Sequence, residues 1–309
     1  MKFALVFPGQ GSQSVSMLGP FAETRIVRET FAEASEVLGE NLWTLVAEGP
    51  PEALNATINT QPVMLTAGYA VYRAWREAGG AEPALVAGHS LGEYTALTAS
   101  GVIAFHDALP LVRFRAQAMQ DAVPAGTGAM AAILGLDDDA VIAACAEAAD
   151  GQIVEPVNFN APSQIVIAGH RAAVERATDA ARTRGARRAV MLPVSAPFHS
   201  SLLKPAAERL ARYLKDVPFG TPRIPLINNV DVAILSESDG IKAALARQAC
   251  RPVRWVEVIR ALAAAGVTRV VECGPGKVLN GLTKRIEPAL EGHAITDPSS
   301  LKLALEALA

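Results

Sequence analysis

Residues 85–101 read L-V-A-G-H-S-L-G-E-Y-T-A-L-T-A-S-G and combine a strand signal, a G-x-S-x-G motif and a helix signal. The apolar run at 84–87 predicts a buried strand, and residues 91–100 predict the helix that follows it. A serine on such a sharp turn exposes its hydroxyl at the carboxyl end of the strand, and its neighbours must be small because the backbone comes close. The pattern predicts that Ser90 is a nucleophile, and the alternative is a plain tight turn. The residues of the motif are Gly88, Ser90 and Gly92.

Two backbone amides near this turn are candidates for an oxyanion hole. The N–H of Leu91 is one of the free donors at a helix start, where partial positive charge favours an anion. A second glycine-rich turn, P-G-Q-G-S-Q at 8–13, follows the apolar run at 3–7. It lacks the spacing of the dinucleotide and P-loop motifs that would indicate a phosphate site. We therefore expect the N–H of Gln10 to be the second donor. Enzymes with a serine nucleophile on a strand-turn-helix take one oxyanion donor from a loop that follows another strand.

The composition is typical of a folded enzyme and excludes several other classes. The 309 residues are 50% apolar and 19% charged, which excludes a disordered chain, and the net charge of −3 offers no basic excess for nucleic acid. We expect no signal peptide and no membrane span, since residues 1–7 are too short for one and no apolar run is long enough for the other. The cysteines show neither metal spacing nor a disulfide framework, so we expect a cytoplasmic protein without metal or cofactor. They are Cys145, Cys250 and Cys273.

The order of predicted elements indicates an α/β fold built from two units. Strand-like apolar runs alternate with long helical stretches, which is typical of a parallel sheet with helices on both faces. These runs lie at 3–7, 84–87, 224–227 and 269–272. Residues 127–194 instead follow the β-α-β-β-α-β order of a ferredoxin-like unit. Its elements are predicted at 128–134, 138–149, 153–159, 165–168, 171–184 and 188–194. We therefore predict a discontinuous large domain, 1–126 and 195–309, an inserted small domain, 127–194, and a site in the cleft between them.

A nucleophilic serine needs a general base, and one of five histidines is favoured by its position. His199 lies in S-A-P-F-H-S, where the chain leaves the insert and re-enters the large domain, so its loop lines the predicted cleft. It is the candidate that accepts the Ser90 proton and later returns it to a leaving group. The alternative is an ordinary loop histidine. His89 adjoins the nucleophile and is interpreted as structural support. The residue pattern itself identifies no acid to complete a triad.

Arg115 is the strongest indication of the substrate. In the predicted helix at 106–123 it falls at the centre of the apolar face, whereas Arg113 and two glutamines fall on the opposite face. An inward guanidinium is costly unless it is paired, and its planar fork suits a carboxylate. Either an internal Asp or Glu or a carboxylate-bearing substrate could be its partner. Together with a Ser–His pair, the substrate alternative predicts transfer of an acyl group that ends in a carboxylate.

Six short motifs, in order along nearly the whole chain, resemble those of the malonyl-CoA:acyl carrier protein transacylases of bacterial fatty acid synthesis. They are F-P-G-Q-G-S-Q (7–13), G-H-S-L-G-E-Y (88–94), P-V-N-F-N (156–160), N-N-V-D-V (228–232), P-V-R-W (252–255) and G-P-G-K-V-L (274–279). The resemblance implies a hydrolase-like large domain with a ferredoxin-like insert. It also implies a cytoplasmic enzyme, expected to be a monomer, whose partners are malonyl-CoA and an acyl carrier protein rather than nucleic acid or membrane.

The resemblance also implies a role for each candidate residue. It assigns the nucleophile, the base and the carboxylate anchor to Ser90, His199 and Arg115. It assigns the oxyanion donors to the backbone of Gln10 and Leu91. In this family a backbone carbonyl orients the catalytic histidine, and the resemblance places that carbonyl on Arg254. Residues expected along the acyl or pantetheine path are Gln61, Asn160 and Gln164.

Two other functions remain open on the residues alone. A thioesterase or hydrolase acting on acyl-CoA could use the same Ser–His pair, and it would deliver the acyl group to water rather than to a thiol. A carrier-protein-binding module with a vestigial site would form no acyl-enzyme. Carrier proteins are acidic and this chain is net negative, so docking is expected on a local basic cluster. That cluster is Arg182, Arg184, Arg187 and Arg188, and the alternative is a solvated charge run.

Overall fold

The computed structural model describes residues 2–194 and 196–308, which form two four-stranded sheets surrounded by helices. The strands are β1 (Phe3–Phe7), β2 (Leu85–Gly88), β3 (Gly128–Leu134), β4 (Val154–Ala161), β5 (Gln164–His170), β6 (Arg188–Met191), β7 (Arg269–Cys273) and β8 (Glu291–Ile295). The helices are α1 (Arg25–Leu38), α2 (Leu42–Glu48), α3 (Pro51–Asn55), α4 (Thr57–Glu77), α5 (Gly92–Ala99), α6 (Phe105–Asp121), α7 (Asp138–Ala148), α8 (Arg171–Thr183), α9 (Lys204–Leu214), α10 (Ser238–Gln248), α11 (Trp255–Ala264), α12 (Val278–Ile286) and α13 (Pro298–Leu308). Short 3-10 turns lie at Gly19–Phe21 and Ser201–Leu203.

The first sheet is parallel and has the strand order β2-β1-β7-β8. Alternate residues of β1 enter two different cores: Phe3, Leu5 and Phe7 pack towards α4, α5 and α6, and Ala4 and Val6 pack towards α11 and α12. Strands buried on both faces read as continuous apolar runs, which is why the sequence pattern located them. The predicted α/β class is therefore confirmed.

Two details of this sheet differ from the prediction. Residues 224–227 form no regular strand, and Leu226 makes only a parallel bridge to Val86 beside β2. Strand β8 was not predicted, because E-G-H-A-I contains no apolar run and only its last residue, Ile295, is buried. It places His293 at the edge of the sheet.

The second sheet is antiparallel and has the order β4-β5-β3-β6, with α7 and α8 packed on one face. The chain order of these elements is β3-α7-β4-β5-α8-β6, as predicted for the ferredoxin-like unit. Strand β4 contacts the rest of the chain, since Asn158 forms a parallel bridge to Val253 just before α11. We keep 127–194 as our proposed bounds for the small domain. None of the helices in the described ranges has the length and apolarity needed to cross a bilayer.

Candidate active site

The strand-turn-helix around Ser90 has the geometry of a strained nucleophile turn. Ser90 adopts a φ of 52°, in the left-handed region that a residue with a side chain rarely occupies. A Cβ on Gly88 would lie 1.9 Å from the carbonyl oxygen of Gly92, and one on Gly92 would lie 2.0 Å from that of Phe7. Only glycine fits at both positions, because the turn brings β2, α5 and β1 into backbone contact. This is the reason for the G-x-S-x-G spacing.

His199 lies beside Ser90, in the loop between β6 and the 3-10 turn Ser201–Leu203. Its Nε2 is 2.7 Å from Ser90 Oγ, and its side chain is almost completely buried. Its Nδ1 is 2.7 Å from the carbonyl oxygen of Gln248. A carbonyl oxygen can only accept, so Nδ1 carries the proton and the neutral ring leaves Nε2 free to accept from the serine hydroxyl. The pair is thus arranged for proton transfer from Ser90 to His199.

The prediction that the backbone carbonyl of Arg254 orients His199 was wrong. Arg254 precedes α11, and its carbonyl accepts the first hydrogen bond of that helix, from the N–H of Val258 at 3.0 Å. Gln248 is the last residue of α10, where the final carbonyls have no partner within the helix. Its carbonyl is therefore available to His199.

Arg115 lies inside the protein, as predicted, but no carboxylate of the described residues pairs with it. The side chain, on α6, is 2% exposed. Its Nη1 donates to Oε1 of Gln61 at 2.8 Å, and its Nη2 donates to Oε1 of Gln248 at 3.0 Å and to Ser90 Oγ at 3.3 Å. The guanidinium also lies 5.2 Å from the ring centre of Tyr94, a cation–π distance. Among the described residues no Asp or Glu oxygen lies within 4.0 Å of it, so an internal salt bridge is not its partner.

These groups open into one cavity of about 690 Å³ between the two sheets. Its lining includes Gln10, Gln61, His89, Ser90, Leu91, Arg115, Met119, Met130, Asn158, Asn160, Leu192, Val194, Phe198 and His199. Gln10 follows β1 and Ser90 follows β2, and these parallel neighbours end at the same edge of the sheet. A Cβ on Gly9 would lie 2.4 Å from the carbonyl oxygen of His89, so the two loops touch. The N–H groups of Gln10 and Leu91 donate to no described residue.

Two of the three residues expected along the substrate path line this cavity. Gln61 does so from α4, beside Arg115, and Asn160 does so from β4, where its Oδ1 accepts a hydrogen bond from His89 Nε2 at 2.8 Å. Gln164 does not. It follows the tight turn between β4 and β5, where its Oε1 accepts a hydrogen bond from Arg285 of α12. The expectation for Gln164 is therefore corrected.

The electrostatics of the cavity favour a neutral base beside a fixed cation. Burial and the positive charge of Arg115 lower the pKa of His199 to about 3, so the imidazole is unprotonated at neutral pH. Burial also lowers the pKa of His89, which packs its ring against Trp255 and acts as support for Asn160. A substrate carboxylate entering this cavity would meet Arg115 as its nearest cation.

Three buried polar residues beneath the turn were missed. Glu93, Asn229 and Gln248 are each at most 1% exposed and bond to one another and to the site. Burial raises the pKa of Glu93 to about 7. Glu93 and Asn229 lie inside motifs that carried the resemblance, but Gln248 lies in A-L-A-R-Q-A-C, where no local pattern indicates a function. Their contacts with one another join segments that are distant in sequence.

Comparisons with known proteins agree with this geometry. Residues 4–291 match the family model described as the acyl transferase domain. The chain is 55% identical over 306 residues to the malonyl CoA-acyl carrier protein transacylase of Escherichia coli (strain K12), and 99% of each chain is covered. A crystal structure of an acyl-carrier-protein S-malonyltransferase from Burkholderia pseudomallei 1710b has 63% identity and a TM-score of 0.98, over 99% of this chain and 100% of that one.

A second solved structure is that of a malonyl-transacylase in complex with its type II PKS acyl-carrier protein. It has 52% identity and a TM-score of 0.98, over 99% of this chain and 100% of that one. Sequence identity at this level over the full length, together with the same fold, identifies the family of this chain. The chain belongs to the malonyl CoA-acyl carrier protein transacylases.

Proposed function

We propose that this chain transfers the malonyl group of malonyl-CoA to the phosphopantetheine thiol of an acyl carrier protein, through an ester on Ser90. The observation that carries the proposal is the buried Arg115, whose hydrogen-bond partners among the described residues are all neutral and which lies 3.3 Å from the Ser90 hydroxyl. A cation so placed fits an acyl group with a terminal carboxylate. The reaction supplies extender units for fatty acid synthesis.

In the first half-reaction Arg115 binds the malonyl carboxylate and so aligns the thioester carbonyl with Ser90. The serine Oγ attacks that carbonyl while His199 Nε2 takes its proton. The negative charge that develops on the carbonyl oxygen is stabilised by the N–H groups of Gln10 and Leu91. The C–S bond then breaks, and CoA leaves with the proton returned by His199.

In the second half-reaction the carrier-protein thiol takes the place of CoA. His199 accepts the thiol proton, the sulfur attacks the ester carbonyl, and the collapse of the intermediate returns the proton to Ser90 Oγ. Arg115 holds the malonyl group for the incoming thiol throughout. The cavity lining includes the apolar side chains of Leu192, Val194 and Phe198, which would limit the access of water to the ester.

Docking of the acidic carrier protein is proposed on Arg187 and Arg188. Both side chains are exposed and form no salt bridge with a described residue, whereas Arg182 pairs with Asp179 and Arg184 with Glu147. Arg187 directly precedes β6 and Arg188 is its first residue. The residues that follow β6 line the cavity. We also propose a cytoplasmic location, which the three free cysteines support.

Intact-mass measurement after mixing with malonyl-CoA tests the acyl-enzyme. We expect wild type to gain one malonyl group and lose it when a phosphopantetheine-bearing carrier protein is added, with the malonyl group recovered on the carrier. Ser90→Ala should gain nothing, since the attacking oxygen is absent. An unmodified wild type, or release of the malonyl group to water instead of the carrier, would refute the proposal.

A further inference from the structure

Glu93 is a buried carboxylate that the reaction steps above do not use. It lies in the first turn of α5, three residues after the nucleophile, and is 1% exposed. It does not line the substrate cavity, and its carboxylate bonds to neither Ser90 nor His199, although its backbone N–H donates to the Ser90 carbonyl oxygen at 3.1 Å. Burying a carboxylate is costly unless hydrogen bonds compensate it, so its partners indicate what it does there.

Both of its hydrogen bonds converge on one oxygen. Glu93 Oε2 accepts from the backbone N–H of Asn229 at 2.9 Å and from Nε2 of Gln248 at 3.0 Å. Its Oε1 accepts from none of the described residues. One atom therefore joins the loop before α10 to the end of α10, two segments that reach the site from different directions.

The Asn229 connection leads to the nucleophile turn. The Asn229 side chain accepts from the N–H of Ser90 at 2.6 Å through Oδ1 and donates to the carbonyl oxygen of Gly88 at 2.6 Å through Nδ2. It thus bonds to the backbone on both sides of the strained turn. The bond from Glu93 to the Asn229 backbone fixes where that side chain sits.

The Gln248 connection leads to the base and to the cation. The Gln248 amide donates to Glu93 and to the Ser90 carbonyl oxygen, at 3.0 Å each, so its Oε1 must point at Arg115. The same residue orients His199 through its backbone carbonyl. Glu93 and the Ser90 carbonyl together therefore determine which way the amide faces, and with it the acceptor presented to Arg115.

We propose that Glu93 is a positioning residue for acyl transfer, which aligns Ser90, His199 and Arg115 by holding Asn229 and Gln248 on a single carboxylate oxygen. The proposal rests on the function proposed above. The role depends on the hydrogen bonds rather than on the negative charge. Both donors bond to Oε2, and an uncharged carbonyl oxygen at that position could accept both hydrogen bonds. The alternative is a purely structural residue, whose loss would lower stability without changing the reaction of the folded enzyme.

Three variants separate these roles. Glu93→Gln keeps an acceptor at the position of Oε2 and removes the charge. Glu93→Asp keeps the charge but withdraws the oxygens by about 1.5 Å, one C–C bond, so one carboxylate cannot reach both donors. Glu93→Ala removes both the hydrogen-bond acceptor and the charge. The matched control is Glu272→Asp, which alters another fully buried carboxylate, at the end of β7, whose partner is the N–H of Asn280.

The readout is the rate of Ser90 acylation per folded molecule, measured with saturating malonyl-CoA and with saturating acetyl-CoA. A displacement of reacting groups by about 1 Å can cost about 100-fold in rate. We expect Glu93→Asp and Glu93→Ala to acylate about 10- to 100-fold more slowly with both thioesters, and more so with malonyl-CoA, because Arg115 is displaced as well. Glu93→Gln should stay within about threefold of wild type, and Glu272→Asp should lose stability only.

Wild-type rates and an unchanged malonyl-to-acetyl ratio in Glu93→Asp would overturn the proposal. So would a Glu93→Gln variant as slow as Glu93→Asp, since that result would make the charge essential. If Glu93→Ala fails to fold, Glu93→Asp decides alone. A wild type that does not accept malonyl would refute the proposed function instead, and the acetyl reaction would still test Glu93.

Discussion

Replacing Arg115 by alanine removes the one Lys or Arg side chain among the described residues that line the cavity, and it tests the role of that cation directly. In the free protein Arg115 is 2% exposed, and its contacts among the described residues are the Tyr94 ring and neutral acceptors on Gln61, Gln248 and Ser90. A carboxylate binding there would form a desolvated ion pair, and truncating one partner of such a pair costs about 2–5 kcal/mol. At about 1.4 kcal/mol per tenfold, kcat/KM for malonyl-CoA should fall by roughly 30-fold to several thousandfold.

Acetyl-CoA is the internal control, because it has no carboxylate for Arg115 to bind. Its transfer by Arg115→Ala should hold steady or improve as the buried charge disappears. Arg113→Ala is the matched variant, since it lies on the same helix and pairs with Glu40 outside the cavity. The assay is kcat/KM for both thioesters, with Tm measured alongside. A parallel loss with malonyl-CoA and acetyl-CoA, accompanied by a lower Tm, would refute the assignment of Arg115 as the carboxylate anchor.

Three further predictions follow from the charges. Because the pKa of His199 is lowered to about 3, the base stays neutral in mild acid, so kcat/KM for malonyl-CoA should not fall between pH 7 and about pH 5; an acid limb near the ordinary histidine pKa of about 6.5 would contradict this. Burial raises the pKa of Glu272 from 4.5 to about 7, so its contribution to stability is present below pH 4.5 and lost as the pH rises through 7. Glu272→Gln should thus be more stable than wild type at pH 8 by on the order of 3 kcal/mol, and denaturant melts that show the same difference at pH 5 would exclude a titration effect. Reversing Arg187 and Arg188 to Glu should raise KM for the carrier protein and leave KM for malonyl-CoA unchanged in steady-state assays, and equal effects on both would place docking elsewhere.

Much of this site was predictable because local patterns have direct physical causes. The glycines around Ser90 are required by backbone contacts, the apolar face of α6 carries Arg115 inward, and the βαββαβ order marks the insert. His199 was predicted from its position where the chain leaves that insert. Each inference used residues close together in sequence or the order of elements along the chain. Such features can be recognised in the sequence without knowledge of the tertiary contacts.

The orientation of the base and the links beneath the nucleophile were decided only by the tertiary structure. His199 is oriented by a backbone carbonyl at the end of α10, and every helix end offers such a carbonyl whatever its side chains are. No residue type could therefore mark Gln248, and the resemblance placed the carbonyl on Arg254, where α11 already uses it. Glu93 and Gln248 lie 155 residues apart and meet only because the fold brings the end of α10 beside the first turn of α5. Chemical types and local turns follow from the sequence, whereas the partners of buried polar groups depend on which distant segments the fold brings together.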